Sequence, residues 1–551
     1  MMKTNNTFKH IVETVLLILT ISLMFGFSAS ARNYSDEGSD YYEDSGTLKI
    51  IDNVVYCLES NEKGKNPYYT VIKFGATKKI RAKTTEINIV DEIDGIPVTA
   101  IEMAYKADPL QSDYGVYAYA GVYPNVKELK IPDSITYIGG FAFSGLINVE
   151  TIELPPNLKE LGYGAFGFMD NLKEVVIPKG VERIPNSAFR ESPKLEKVVF
   201  EGQIKEIGSN AFSDCESLKY VTPCNELEYI SLSAFRRCKN LKSFPLASTL
   251  KKIWPWAFAG SGLTSVKIPE SVVLAAEFDY GDDDAYYGEQ FANCKNLKSV
   301  IFEKRKTPLE IPQNCFARCE NLKTITMQKG IKKIGPAAFK ETGIASVKIP
   351  SDAVLGQRYY YYDEVRARGE QFKDCKNLKS VVFENRKSSL VIPPDCFTGC
   401  TKLKTVELPK STKGVTLCTR AFYNCTSLKR VENPGVISGI RSSAFKNCKS
   451  LESIKFSSKI KYIETRAFKG CSKLKSVTFK DTKKVPANTF EKEIKHVFDK
   501  DTFSGTPNAI KFFVKNETVA KKLKTALKGS GVKNAGIYKI SGSKLYYKNV
   551  K

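Results

Sequence analysis

Histidine is almost missing from this sequence: the 551 residues contain two, His10 and His496. With so few, no histidine-based catalytic triad and no histidine-rich metal site can be assembled within one chain. No Gly-x-Ser-x-Gly elbow and no phosphate-binding loop appears either. Long apolar runs are equally scarce. The single candidate, Val15 to Phe27, follows the basic residues Lys3 and Lys9 and precedes the small-residue site Ala29-Ser30-Ala31. That order is a secretory signal peptide, 1–31, since a membrane span needs about 20 apolar residues. Ile11 and Val12 lengthen the run, so an uncleaved N-terminal anchor stays open as the alternative. No second apolar stretch offers a membrane span after cleavage.

Acidic residues are outnumbered. The formal net charge is +24, and removing Lys3, Lys9 and Glu13 with residues 1–31 leaves +23. A cation of this size should associate in a salt-dependent way with polyanions, acidic glycans or an anionic cell wall. An exported chain rarely meets nucleic acid as a target, so nucleic acid is not expected as a partner. The charge reads as spread over the whole chain, which makes solubility its plain explanation.

What the sequence has in abundance is repetition. Phenylalanines recur at Phe143, Phe166, Phe189, Phe212, Phe235, Phe258, Phe291, Phe316, Phe339, Phe372, Phe397, Phe422, Phe445, Phe468 and Phe490. Most intervals are 23 residues. Tyr105 is a degenerate first member, giving sixteen coils. Within a coil, Leu172-Lys-Glu-Val-Val-Ile-Pro178 alternates inward and outward like a half-buried strand closed by proline. Val181 and Ile184 follow, and Ala188-Phe189 leads into a short helical or 3₁₀ turn. One coil cannot bury its own apolar residues, so stacking on neighbours supplies the stability.

The pattern Leu-x-x-Val-x-Ile-Pro, then Val-x-x-Ile-x-x-x-Ala-Phe-x-x-Cys, resembles the BspA-type leucine-rich-repeat family of surface proteins. The resemblance implies a right-handed α/β repeat solenoid with a parallel β-sheet along one side, and roles in adhesion, host-matrix binding and coaggregation. It supplies no residue-level binding motif. The expected organisation is a signal peptide at 1–31, an acidic linker at 32–46 and a β-rich N-terminal cap at 47–99. The leucine-rich-repeat solenoid follows at 100–490, and a C-terminal cap at 491–551. Within that last cap, 518–528 reads as a basic amphipathic helix, with membrane-surface binding as a secondary reading, and 537–550 as closing strands.

Nine of fourteen cysteines lie three residues after a repeat phenylalanine, from Cys215 to Cys471. A position occupied once per coil stacks into a column, and free cysteine behaves as a small buried hydrophobe. A buried thiol ladder is the expectation. Disulfides, favoured by export, stay open, although equivalent side chains point the same way. Cys315/Cys319 and Cys396/Cys400 are explained by duplication rather than zinc. The outward strand positions are Ser, Thr and Lys, predicting a polar, basic-edged sheet: a solvated repeat surface or a polyanion-tracking stripe.

The repeat breaks in informative places. Two 33-residue intervals each hold a ten-residue insertion, and a three-coil block has been duplicated with an offset of 81 residues. The insertions carry Tyr280, Tyr286 and Tyr287, and Arg358, Tyr359, Tyr360, Tyr361, Tyr362, Arg366 and Arg368. A third tyrosine-rich segment holds Tyr114, Tyr117, Tyr119 and Tyr123. Tyrosine gives large contact area at low entropy cost, and insertions on one face of a solenoid often form its binding face. These tyrosines, with Arg366 and Arg368, are the candidate partner-binding residues. The alternative is that the two later loops, roughly 14 Å apart at strand spacing, pack on each other. Calcium at Asp279 and Asp282–Asp284 is a weaker reading, because a bare acidic run lacks ligand geometry.

The expected function is a secreted or cell-surface binding scaffold, not an enzyme. It would be a monomer without a cofactor or metal, and would bind an extracellular protein or glycan. A charge-held cell-wall or acidic-polysaccharide protein is the alternative. A parallel β-helix polysaccharide lyase is a third, with Asp279–Asp284 near Arg358–Arg368 as its only grouped charges.

Overall fold

The computed structural model describes residues 48–59, 66–74, 83–102, 123–279, 285–304, 306–356, 358–361, 364–367, 369–410, 412–480, 498, 501–514, 517–528, 530–532, 534–541 and 544–550. The expected signal peptide at 1–31, the expected acidic linker at 32–46 and His496 therefore lie outside the described residues.

Each coil is hydrogen-bonded to its neighbours on three sides. The first is the expected parallel sheet. In Glu174–Ile177, Val175 and Ile177 are buried while Val176 is exposed. The strand pairs in register with Lys197–Phe200, Val175 opposite Val198 and Ile177 opposite Phe200. Proline or a loop ends the ladder, and the chain turns to a second side of two-residue strands. Arg183–Ile184 pairs with Glu206–Ile207, and the series runs on through Tyr229–Ile230, Lys252–Ile253 and Val273–Leu274. This second ladder accounts for the Val-x-x-Ile spacing.

The third side is the phenylalanine turn. It is not a helix. Among the described coils from Phe143 to Phe468, the residues two before and two after the ring both have positive φ, as at Ser187 (58°) and Glu191 (53°) around Phe189. This left-handed conformation is costly for side chains other than glycine. Alternating it with right-handed residues turns every second N–H toward the next coil instead of back along its own turn. Ser187, Phe189 and Glu191 thus donate to the Ser209, Ala211 and Ser213 carbonyls at 2.8 Å each. The inter-coil bonds offset the local strain.

The interior is a column of parallel rings. From Phe143 to Phe468, successive phenylalanines stack at 5.3–5.7 Å between centroids and within 19° of parallel. By spacing, Phe490 is next in the series. It lies outside the described residues, and the ring stacked on Phe468 is Phe503, at 5.5 Å. A 35-residue interval has no counterpart in the repeat, so periodicity alone could not find it.

At the N-terminal end, Val54–Glu59 pairs antiparallel with Tyr68–Phe74, which pairs parallel with Ile96–Ile101. Ile96–Ile101 in turn joins Tyr137–Ile138, so the cap covers the open end of the second ladder. Asp94 and Gly95, both at positive φ, form the tight turn that leads in. At the other end Ser476–Phe479 is followed by Ala509–Val514, Asn534–Ser541 and Lys544–Val550. The helix Glu517–Leu527 buries Val519, Leu523, Ala526 and Leu527 and packs on the adjoining cap strands. Its apolar face is therefore occupied by the cap, which corrects the membrane-surface reading. Among the described residues no helix is long and apolar enough to cross a membrane.

Where insertions leave the stack, the backbone is tightly held. Gly288 has φ +60°, and a Cβ there would lie 2.0 Å from the Gln313 carbonyl oxygen of the next coil. Gly288→Ala is expected to cost about 2–3 kcal/mol, from the left-handed penalty and the steric conflict. Urea unfolding would show this as a lowered midpoint with an unchanged slope.

Candidate binding surface

The cysteines are structural. All nine after the repeat phenylalanines are fully buried, and every described cysteine is a free thiol. Each donates its S–H to the phenylalanine carbonyl of the preceding coil at 3.0–3.2 Å, as Cys215 does to Phe189 and Cys471 to Phe445. Ser192, Ser261 and Thr342 occupy the same position in other coils. Burial pushes the Cys215 and Cys471 thiols up to about 12 and Cys375 to about 11. Such thiols are poor nucleophiles and metal ligands. Among the described residues no cluster of His, Cys, Asp or Glu could hold a metal.

Charge is not spread evenly along the chain, although the net value suggests it. Residues 1–300 hold 32 Lys and Arg against 39 Asp and Glu, whereas 301–551 hold 52 against 21. The earlier coils pair their charges across the stack: Lys173 with Glu150 at 2.5 Å, Lys197 with Glu174 at 2.6 Å, Lys219 with Glu196 at 2.8 Å. An acidic residue one coil away, 23 positions back in sequence, neutralises each lysine. The overall composition hid this asymmetry because it averages the halves.

Both insertions fold as antiparallel hairpins outside the solenoid ladders. Glu277–Asp279 pairs with Ala285–Tyr287, and Arg358–Tyr361 with Glu364–Ala367. Each begins directly after a second-ladder strand, Val273–Leu274 or Val354–Leu355. A buried glutamine holds each base: Gln290 Nε2 donates to the Ala275 carbonyl at 2.5 Å, and Gln371 Nε2 to Gly356 at 2.6 Å. Gln290 and Gln371 stand where ordinary coils have Ala or Cys before the phenylalanine. That substitution, found in both inserted coils, is a sequence signal of the hairpins that the phenylalanine spacing alone does not show.

The candidate contact residues divide accordingly. Tyr286, Tyr359, Tyr360, Tyr361 and Arg366 lie on the hairpin strands, with Tyr359 opposite Arg366 and Phe278 opposite Tyr286. Tyr287 is half-buried. Arg358 opposes Ala367. Tyr114, Tyr117, Tyr119, Tyr280, Tyr362, Arg368 and Asp282–Asp284 lie outside the described residues. Tyr123 is 8% exposed and belongs to the core. It is corrected from contact residue to packing residue, because it lies three residues before Val126, at the start of the coil's buried segment.

The profile of the BspA type leucine rich repeat region, six copies long, matches residues 113–242, 211–280, 285–365 and 368–496. This chain belongs to the BspA-type leucine-rich-repeat family. Solved structures similar to this BspA-type chain include a leucine-rich repeat protein from Bacteroides ovatus. It is 19% identical, covering 90% of this chain and 100% of that one, with a TM-score of 0.48. A leucine rich cell surface protein from Faecalibacterium prausnitzii is 22% identical over 75% of this chain and 95% of that one, with a TM-score of 0.40. The pneumococcal vaccine antigen PcpA is 18% identical over 90% and 99%, with a TM-score of 0.31. No curated protein matches. Membership in the BspA type supports a binding scaffold in general terms.

Proposed function

We propose that this BspA-type chain is an exported, surface-associated and non-enzymatic scaffold. It holds a macromolecular partner by adhesion to an extracellular matrix or a neighbouring cell, and the paired hairpins make the contact. The observation behind this is the matched construction of the two insertions. They leave the coil at the same point, three coils apart, and each is anchored by a buried glutamine. Each glutamine spends its Nε2 on the hairpin base while its buried Oε1 has no hydrogen-bond partner among the described residues. The same costly arrangement at both insertions supports reading them as positions kept to present a hairpin. Tyrosine at five strand positions adds the rigid, amphipathic contact area that recognition surfaces favour.

The test excises the ten extra residues from both coils and compares variant and parent on immobilised matrix proteins and neutral glycans. Binding by the parent with at least a tenfold loss in the variant, while thermal unfolding stays cooperative, is the expected outcome. Equal binding by both chains would refute the assignment to the hairpins.

A further inference from the structure

We infer that the later coils carry a second binding surface, a lysine–hydroxyl ladder that takes a linear acidic polysaccharide with one carboxylate per sugar. It concerns the sheet and not the hairpins, so removing both hairpins leaves it intact and separates its failure from theirs. The residue after the strand leucine is Lys298, Lys323, Lys379, Lys404, Lys429 and Lys475 in six of these coils, and all six are exposed. The main chain places them in one column: Lys323 N–H donates to the Lys298 carbonyl at 3.0 Å, Lys404 to Lys379 at 2.8 Å, and Lys429 to Lys404 at 3.0 Å. Ala345 lies in the column between Lys323 and Lys379, and Glu452 precedes Lys475.

From Glu150 to Lys219 this same column alternates sign and neutralises itself, as Lys173–Glu150 and Lys219–Glu196 do, before Lys242 and Thr264 lead into the later coils. Among the described residues none of the six later lysines is in an ion pair. Their charges add rather than cancel, which the fold does not require and a counter-polymer would satisfy.

Beside the lysines runs a column of hydroxyls. Ser299 is opposite Thr324, and Ser380 opposite Thr405. Within the runs Lys298–Lys323 and Lys379–Lys404–Lys429 the ammonium groups repeat at about 5 Å, the strand spacing, which matches a polymer that carries one acid group per sugar, and the hydroxyls suit its remaining oxygens. Single-stranded nucleic acid fits less well. It binds through aromatic platforms on which bases stack, and neither column offers one in these coils.

The probe is polygalacturonate, with its methyl ester as the uncharged counterpart and single-stranded DNA as the other polyanion. The full exported chain is compared with K379Q/K404Q/K429Q and with K173Q/K197Q/K219Q. Polygalacturonate should bind the parent, the ester at least tenfold more weakly. The first variant should lose at least tenfold, with its logarithmic salt slope reduced by about two to three. The second variant should bind like the parent. Undiminished binding of the ester, equal loss in both variants, or tighter binding of DNA would each overturn the assignment.

Discussion

Phe316→Ala should cost about 3–5 kcal/mol, the usual consequence of emptying a buried phenylalanine site. The ring is fully buried, stacked on Phe291 at 5.3 Å and Phe339 at 5.5 Å, with an edge contact to Phe302 at 6.2 Å. Two stacked partners add about 0.5–1.5 kcal/mol each beyond area burial. The location matters as much as the magnitude. In a stack, a coil touches only its two neighbours, so a weakened interface cannot be shared out over the molecule. Calorimetry should therefore show the melting endotherm broaden or split, as coils on either side of 316 lose their coupling. Phe316→Leu, which keeps most of the volume, should shift the midpoint without splitting it. An unchanged single transition in the alanine variant would mean the ring column does not carry the stack.

Alkaline pH is expected to have a comparable effect. A buried thiol whose folded value is raised keeps its proton after the unfolded thiol, ionising near 9, has lost one. Above pH 9 the unfolded state therefore binds fewer protons, and stability falls as pH rises. The stabilisation is complete below about 9 and is lost between 9 and the folded values, about 12 for Cys215 and Cys471 and about 11 for Cys375. By pH 10 each contributes a loss of about 1.4 kcal/mol, so the three together account for about 4 kcal/mol. The measurement is the urea midpoint between pH 7.5 and 10 for the parent and for C215S/C375S/C471S. Serine already serves at this position in Ser192 and Ser261, so the triple variant should fold and show a flatter pH dependence. Equal slopes would show that the thiols are not protected in the folded state.

Much of this architecture was legible in the amino-acid order because one side chain per coil fixes the register. The Phe-to-Phe interval gives the coil length, and the alternation in Leu172–Ile177 gives the strand. The cysteines resolved into a column once counted from the ring. Two structural features were not legible. The left-handed residues flanking each phenylalanine are Ser, Asn, Asp, Arg, Glu, Phe, Trp and Ala as well as Gly. Gly, Asn and Asp adopt it readily, but at the bulkier residues the conformation is held by bonds to the next coil. Likewise the ladder's continuation from Phe468 to Phe503 depends on a stacking contact across an irregular interval. For the candidate surface, composition was misleading where position was informative. A chain-wide charge of +24 suggested uniform solvation, whereas sorting lysines by coil separates paired from unpaired columns.

The most direct test of a scaffold with two separable contact surfaces is one crossed binding measurement. The parent chain, the double hairpin deletion and K379Q/K404Q/K429Q are titrated against a panel of matrix proteins and against polygalacturonate in the same buffer. The account predicts that the deletion abolishes protein capture but spares polygalacturonate, and that the lysine variant does the reverse. Parallel losses in both variants, or no loss in either, would contradict it.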